Sequence, residues 1–371
     1  MPPRRPARPQ RRPHVDKPRP PGERRAGRGR DAAMTAKMLR PTSFDVAERA
    51  GVSQSTVSRA LRNSPGVNAE TRARVAAAAR ELGYVVDRHA SSLRLKSSET
   101  IALVTICRPG EDRSAINPFY FALLGSIAAA TSARGFNLLV SFQENPDNFR
   151  ADFVASGLAD AMIVIGTTSN RAAWDYFAEA QASGLDFVCW GSPGSPFHWM
   201  RSENDEGGQM AANHLVGLGR RRIAFVGPQQ SPQRQFDERR DGFTAALAAH
   251  GLTPIVAEPP PATDRHAQGV AAAQALLAAH PDVDAIFAAS DMLALGVLQG
   301  LKDAGRRVPH DVALIGFDGI RAGTLADPAL TTLEPDLDAA GEALVAMALE
   351  DDERTRSGTR VPVRLVLRGT A

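Results

Sequence analysis

The chain has only two cysteines in 371 residues, Cys107 and Cys189. That excludes a disulfide framework and any paired-cysteine metal site. Both lie within or beside apolar runs, where buried thiols are found. No apolar stretch approaches the length of a membrane span. The N-terminus lacks the apolar segment of a secretory signal, so a cytoplasmic protein with no membrane partner is expected. Neither a G-x-G-x-x-G turn nor a G-x-x-x-x-G-K-S/T loop occurs, which argues against a nucleotide-dependent enzyme. The eight histidines are scattered, and no Ser/His/Asp or metal-ligand set stands out. No catalytic residue, metal or cofactor is therefore assigned, and the chain reads as a non-enzyme.

The length allows two or three domains, each large enough to bury a core. A formal net charge of +3 conceals a gradient: residues 1–40 carry +10, residues 41–96 carry +4, and the remainder carries −11. A basic front on an acidic body places a polyanionic partner at the N-terminal end. Residues 1–33 are rich in Pro, Arg and Gly with almost no large apolar residues, and disorder is expected there. Two readings of this basic tail, residues 1–40, stand side by side. It adds non-specific phosphate affinity, or it precedes a natural start at Met34 or Met38.

The most informative stretch is TSFDVAERAGVSQSTVSRALR, Thr42 to Arg62. In its first half Phe44, Val46, Ala47 and Ala50 recur at helical spacing. Gly51 supplies the permissive backbone of a tight helix–helix turn, and Ser53 suits an N-cap. A second helix from Gln54 to Arg62 turns Val57, Ala60 and Leu61 inward. Its other face carries Gln54, Ser55, Thr56, Ser58, Arg59 and Arg62. Small hydrogen-bonding side chains and arginines on a short helix fit the DNA major groove, although an ordinary surface helix pair would share the bare pattern. After the loop Asn63–Gly66, Asn68 caps a third helix through Leu82, with Val75, Ala78, Ala79 and Leu82 inward and Gly83 as C-terminal cap.

Four motifs follow one another in order: DVAERAGVSQSTVSRAL, VNAETRARV, ELGY, and SSLR before the apolar run IALVTI. Residues 42–104 thereby closely resemble the headpiece of the lactose/galactose-repressor family of bacterial transcription regulators, and the resemblance extends to near the C-terminus. It implies a helix-turn-helix DNA-binding head over residues 41–86 and a hinge over 87–98. The hinge would fold only on DNA, with Leu93 of two subunits wedged into a minor-groove step. A plain linker with an exposed leucine is the competing reading. Thr42, Ser43, Asn68, Thr71 and Tyr84 match positions at which the family grips the DNA backbone, which positions the head without specifying sequence. Gln54 and Ser55 sit where base edges are reached, and Thr56, Ser58 and Arg59 mix phosphate with base contacts. Each head reads few base pairs, so a homodimer on a palindromic double-stranded operator is expected.

From residue 99 onward short apolar runs alternate with amphipathic helical stretches. IALVTI, NLLVSF, AMIVIG and DFVCWG form one set of candidate strands, and RIAFVG, PIVA, AIFAAS and VALIGF a second. Helical patterns at 119–134, 206–218, 238–249, 267–279 and 291–304 lie between them. Such alternation indicates parallel sheets covered on both faces, hence two α/β lobes with a cleft. The resemblance adds the two-lobed architecture of periplasmic sugar-binding proteins, with three crossings of the chain between lobes. The run Val361 to Arg368 would then return to the second lobe or its edge. No leucine heptad of the kind that assembles tetramers in some relatives is present, so a dimer is favoured.

The resemblance also implies a small effector, most often a saccharide, held between the lobes. Phe119 and Tyr120, at the carboxyl edge after the first strand, match pocket aromatics. Phe119 is as easily read as core. Trp190 ends the fourth strand, where it would stack on a sugar ring or fill the interlobe core. Arg239 matches an arginine that binds effector oxygens, and Asp291 an aspartate at a strand end. The alternatives are a surface arginine and a mere helix cap. Asp318 in IGFDGI is motif-like but open to a structural role. Two departures leave the ligand open: no carboxylate follows the fourth strand, and Glu203-Asn204 stands where many relatives have Asp-Asn. A constitutive architectural DNA-binder is the rival reading. A secreted sugar-binder would have no use for residues 42–95.

Overall fold

A computed structural model describes residues 41–85, 97–110, 116–191, 197–229, 233–262, 264–350 and 358–371. The basic tail, nearly all of the hinge and Leu93 lie outside the described residues. Those that are described form two compact units, a small head and a large body.

The head is three helices, α1 (Ser43–Ala50), α2 (Gln54–Leu61) and α3 (Ala69–Leu82), each started by a side-chain cap. Thr42 and Asp45 form a reciprocal capping box on α1. The Ser53 hydroxyl accepts the Thr56 amide at 3.2 Å, and Asn68 Oδ1 accepts the Thr71 amide at 2.8 Å. Gly51 closes α1 at φ 63°, a conformation that costs other residues energy, and so turns the chain sharply into α2. Val46, Val57 and Val75, one from each helix, are fully buried and make the centre of the core. Leu61, Leu82 and Tyr84 pack against that core from its rim. Phe44 departs from the expected apolar stripe and is 66% exposed. It lies two residues before Val46, roughly 200° around the helix, so the two cannot share a face.

The body contains two six-stranded sheets. The first lobe holds β1 (Thr100–Ile106), β2 (Asn137–Gln143), β3 (Ala161–Gly166), β4 (Val188–Trp190), β5 (His198–Ser202) and β11 (Thr359–Val361). Their order is β11-β5-β4-β3-β1-β2, all parallel. Helices α4 (Pro118–Ala133), α5 (Arg171–Ala182) and α11 (Leu337–Leu349) belong to this lobe.

The second lobe holds β6 (Ile223–Val226), β7 (Ile255–Ala257), β8 (Ala285–Ala288), β9 (Ala313–Phe317), β10 (Thr331–Pro335) and β12 (Val363–Val366). Their order is β12-β10-β9-β8-β6-β7, and only the β12–β10 pairing is antiparallel. This lobe carries α6 (Asn204–Gly217), α7 (Arg234–Ala249), α8 (Arg265–Ala279), α9 (Asp291–Asp303) and the single turn α10 (Arg321–Thr324).

The chain passes between lobes three times: at Glu203, at Asp336 and at Pro362. The crossings lie side by side, with the Glu203 amide donating to Val361 O at 2.8 Å and the Asp336 amide to Pro362 O at 3.0 Å. The last apolar run is therefore shared: Val361 ends a first-lobe strand, whereas Val363 begins the second-lobe edge strand. Strands β5 and β10, read from the chain as HWMRS and TTLEP, have no continuous apolar run and were not expected. Their backbones are recruited by neighbouring strands rather than by their own pattern.

Backbone contact between α6 and α7 fixes the floor of the second lobe. A Cβ built on Gly242 would stand 2.1 Å from Asp205 O, and one on Gly208 would stand 2.2 Å from Arg239 O. Two glycines thus let two helices touch main chain to main chain. Gly242→Ala is expected to destabilise the protein by about 1–3 kcal/mol through overpacking. Urea unfolding checks this, and an unchanged midpoint would contradict it.

Candidate functional site

In the head, α2 presents Ser55 and Arg59 exposed, with Gln54, Thr56 and Ser58 half-buried beside them. Gln54 Nε2 donates to Ser43 Oγ at 2.9 Å. One amide hydrogen is thereby committed, while Oε1 and the second N–H stay on offer as the acceptor–donor pair that matches adenine. The Arg59 and Arg62 side chains fold back along the helix: Arg59 Nε donates to Ser55 O at 3.3 Å, and Arg62 Nη2 to Ser58 Oγ at 2.6 Å. Thr42 donates its hydroxyl to Asp45 at 2.8 Å, so its side chain is engaged in the cap. The Thr42 backbone amide holds the Asp45 carboxyl below the usual carboxylate range. Asn68 and Thr71 stand together at the N-terminus of α3, whose amides favour an anion. Tyr84 is half-buried just beyond the Gly83 cap.

In the body, a cavity of about 430 Å³ opens between the lobes. Phe119, Tyr120, Trp190 and Arg239 all line it. Phe119 and Trp190 form an aromatic wall on the first-lobe side, ring centroids 5.7 Å apart, and each also packs into the core. Asn117 caps α4 by accepting the Phe119 amide at 3.1 Å, and its Nδ2 reaches across to Asp318 Oδ2 at 3.4 Å.

On the opposite wall Arg239 is only 5% exposed. Its Nε donates to Asn204 Oδ1 at 2.9 Å and its Nη1 to Ala289 O at 2.6 Å, with Asp318 Oδ1 at 3.4 Å. The guanidinium lies 3.5 Å from the Phe317 ring centroid. Nη2 has no partner among the described residues. Burial lowers the Arg239 pKa, and the charge of Asp318 opposes that shift. Asp318 is raised by its own burial, with Arg239 pulling the other way. Its backbone sits at φ 125°, strain of the kind retained at functional sites.

Asp291 corrects the expectation that it contacts the effector. It is fully buried and absent from the cavity wall. One oxygen accepts the Ile320 amide at 2.9 Å and the other the Thr332 hydroxyl at 2.6 Å. Both oxygens are therefore occupied in joining α9 to β10 and the loop after β9, whereas Asp318, like Asp264, lines the cavity. Burial, with the nearby charge of Asp318, pushes Asp291 up to about 7. Sequence reasoning also missed Gln233, Gln235, Phe236, Arg265 and His266, which line the second-lobe side. They precede or open α7 and α8, directly after β6 and β7. The strand-end rule applied to the first strand would have found them.

Two family models match the chain: bacterial regulatory proteins of the lacI family over residues 44–87, and a periplasmic binding protein-like domain over residues 212–371. The HTH-type transcriptional regulator CelR of Thermobifida fusca is 33% identical over 335 residues, 88% of this chain and 96% of that protein. The chain belongs to the lacI family of bacterial regulatory proteins. The ribose operon repressor of Escherichia coli is 28% identical, over 82% of this lacI-family chain and 91% of its own length. A solved CelR–cellobiose complex matches with a TM-score of 0.63 at 29% identity, over 90% of this chain and 100% of that one. The lac repressor dimer bound to operator and an anti-inducer matches with a TM-score of 0.72 at 25% identity, over 89% and 98%. This lacI-family chain is a DNA-binding transcription regulator with a helix-turn-helix head and a periplasmic-binding-protein-like body. No helix among its described residues is long and apolar enough to cross a membrane.

Asp291 makes stability depend on pH. Its carboxyl keeps its proton up to about pH 7 when folded but releases it near the ordinary 3.8 when unfolded. Folding takes up a proton between those values, so the Asp291 contribution is full below the lower one and is lost as pH rises through the upper. Asp291→Asn is expected to remove this dependence. Urea unfolding of both proteins across that pH interval should show the wild type losing stability relative to the variant, and parallel profiles would refute the assignment.

Proposed function

We propose that the chain is a repressor of carbohydrate-utilisation genes whose operator binding is controlled by a saccharide held between the lobes. The observation that carries this reading is the pairing of an aromatic wall, Phe119 and Trp190, with a fixed donor–acceptor pair, Arg239 and Asp318. Sugars offer an apolar ring face and a rim of hydroxyls, and this arrangement meets both. A cavity of about 430 Å³ falls within the range of about 300–1,000 Å³ usual for small-molecule sites. The cellobiose seen on CelR makes that disaccharide the first probe. The protein acts in the cytoplasm without enzymatic chemistry of its own.

A ligand touching both lobes binds one lobe arrangement better than another and shifts DNA affinity by that difference, about 1–3 kcal/mol in comparable systems. The head, residues 41–86, reads one half of a palindrome per subunit of a homodimer, and residues 87–98 form the hinge. Gln54 and Ser55 meet base edges. Thr56, Ser58 and Arg59 contribute mixed contacts, while Thr42, Ser43, Asn68, Thr71 and Tyr84 hold the backbone.

Selection from random duplexes, followed by titration of saccharides against the selected operator, tests the whole reading. No preferred duplex, or no saccharide that alters retention, would overturn it. Gln54→Ala is expected to relax preference at one base pair by about 1–3 kcal/mol, while Thr71→Ala weakens all sites alike. Arg239→Lys is expected to weaken saccharide binding about 10- to 100-fold by removing charge-assisted hydrogen bonds. Calorimetry would measure this, and unchanged affinity would remove Arg239 from the site.

A further inference from the structure

Glu238 and Arg239 are successive residues of α7 that serve different neighbours. Arg239 faces the cavity, whereas Glu238 meets the crossings between the lobes. Arg201 on β5 and Arg360 on β11 are register partners, each two residues before a crossing. The Trp199 ring lies beneath both guanidinium groups, 3.9 Å from Arg201 and 5.5 Å from Arg360. Two cations side by side at a part-buried edge repel unless an anion stands between them.

Glu238, from the other lobe, is that anion. Its Oε1 accepts from Arg201 Nη1 at 2.9 Å and from Arg360 Nη2 at 3.1 Å, and its Oε2 from Arg360 Nη1 at 3.2 Å. Asn204, the first residue of α6 after the first crossing, is fully buried and uses both ends of its amide. Its Nδ2 donates to Glu238 Oε2 at 2.8 Å, and its Oδ1 accepts from Arg239 Nε at 2.9 Å. Burial raises the Glu238 pKa, but the bonds from Arg360 and Asn204 outweigh it and leave the carboxyl below its usual range.

We propose that Glu238 is the positioning residue of the lobe hinge: it ties Arg201 and Arg360 of the first lobe to the second and, through Asn204, fixes the Arg239 guanidinium that faces the cavity. One hydrogen-bonded network then sets both the angle between lobes and the placement of the ligand-facing donor. Removing the carboxylate takes away the anion that both guanidinium groups share, leaves Arg360 its longer 3.9 Å pairing with Glu203, and frees the Asn204 amide to turn. The lobe arrangement loosens, and Arg239 loses the acceptor that holds its Nε.

The test uses the full-length protein without DNA or sugar. Nitroxides at Glu179→Cys on α5 and Gln299→Cys on α9 are exposed, whereas both native cysteines are buried. Electron–electron distance measurement in protein diluted with unlabelled subunits is expected to give a single narrow distribution. In Glu238→Gln the distribution broadens to longer distances. The Arg239 Nε–H resonance, assigned by its loss in Arg239→Lys, shifts in the same variant.

Arg360→Gln, at a more exposed position, should broaden the distribution similarly and carries the test if Glu238→Gln does not fold. Arg222→Gln breaks a surface pair with Asp282 elsewhere in the second lobe and should move neither readout. An unchanged distribution in either folded hinge variant would overturn the proposal. So would an unmoved Arg239 resonance, or a control that changes as much as the hinge variants. Because neither measurement involves a ligand, failure of the saccharide reading would leave this result standing, and the reverse also holds.

Discussion

The body is built around a guanidinium placed where water hardly reaches. Taking such a charge out of water costs several kcal/mol unless its neighbours answer it with charge and hydrogen bonds. Every element near Arg239 contributes to that answer: Asn204 from the first crossing, the Ala289 carbonyl from the end of β8, Asp318 from the end of β9 and the Phe317 ring face. Asp318 adopts a left-handed backbone to reach it. The strain is tolerable because the alternative is an unanswered buried charge. A cation held so firmly on the cavity wall presents its remaining donor without rearrangement.

That anchor explains the close approach of α6 and α7. Asn204 and Arg239 can meet only if their helices touch backbone to backbone, which Gly208 and Gly242 permit. The three crossings then lie side by side, so the lobes are joined by short, mutually hydrogen-bonded segments rather than by a loose linker. A ligand reaching Asn117, Phe119 and Trp190 on one side and Arg239 and Asp318 on the other addresses both lobes at once. Its binding energy is thereby coupled to their relative orientation.

The head obeys a different economy. Three short helices have little apolar surface to share, and each would be marginal alone. They are held by three fully buried valines and by three side-chain caps. Small polar residues at the helix starts close the helices: Thr42 caps α1, Ser53 caps α2 and Asn68 caps α3.

Local patterns were legible because the information they carry is local. Thr42, Ser53 and Asn68 mark helix starts by their own hydroxyl or amide chemistry, and continuous apolar runs mark strands buried on both faces. The chain by itself thus determined a capped three-helix head, two series of parallel strands, and Phe119, Tyr120, Trp190 and Arg239 as residues to watch. Strands β5 and β10 escaped notice because their pairing is imposed by neighbours rather than by their own pattern. The burial of Asp291, the placement of Asp318 on the cavity wall, and the meeting of Glu238 with Arg201 and Arg360 were decided by tertiary structure alone. Each depends on which strand ends the crossings bring together, and residues as far apart as Asn117 and Asp318 carry no local pattern that records their encounter.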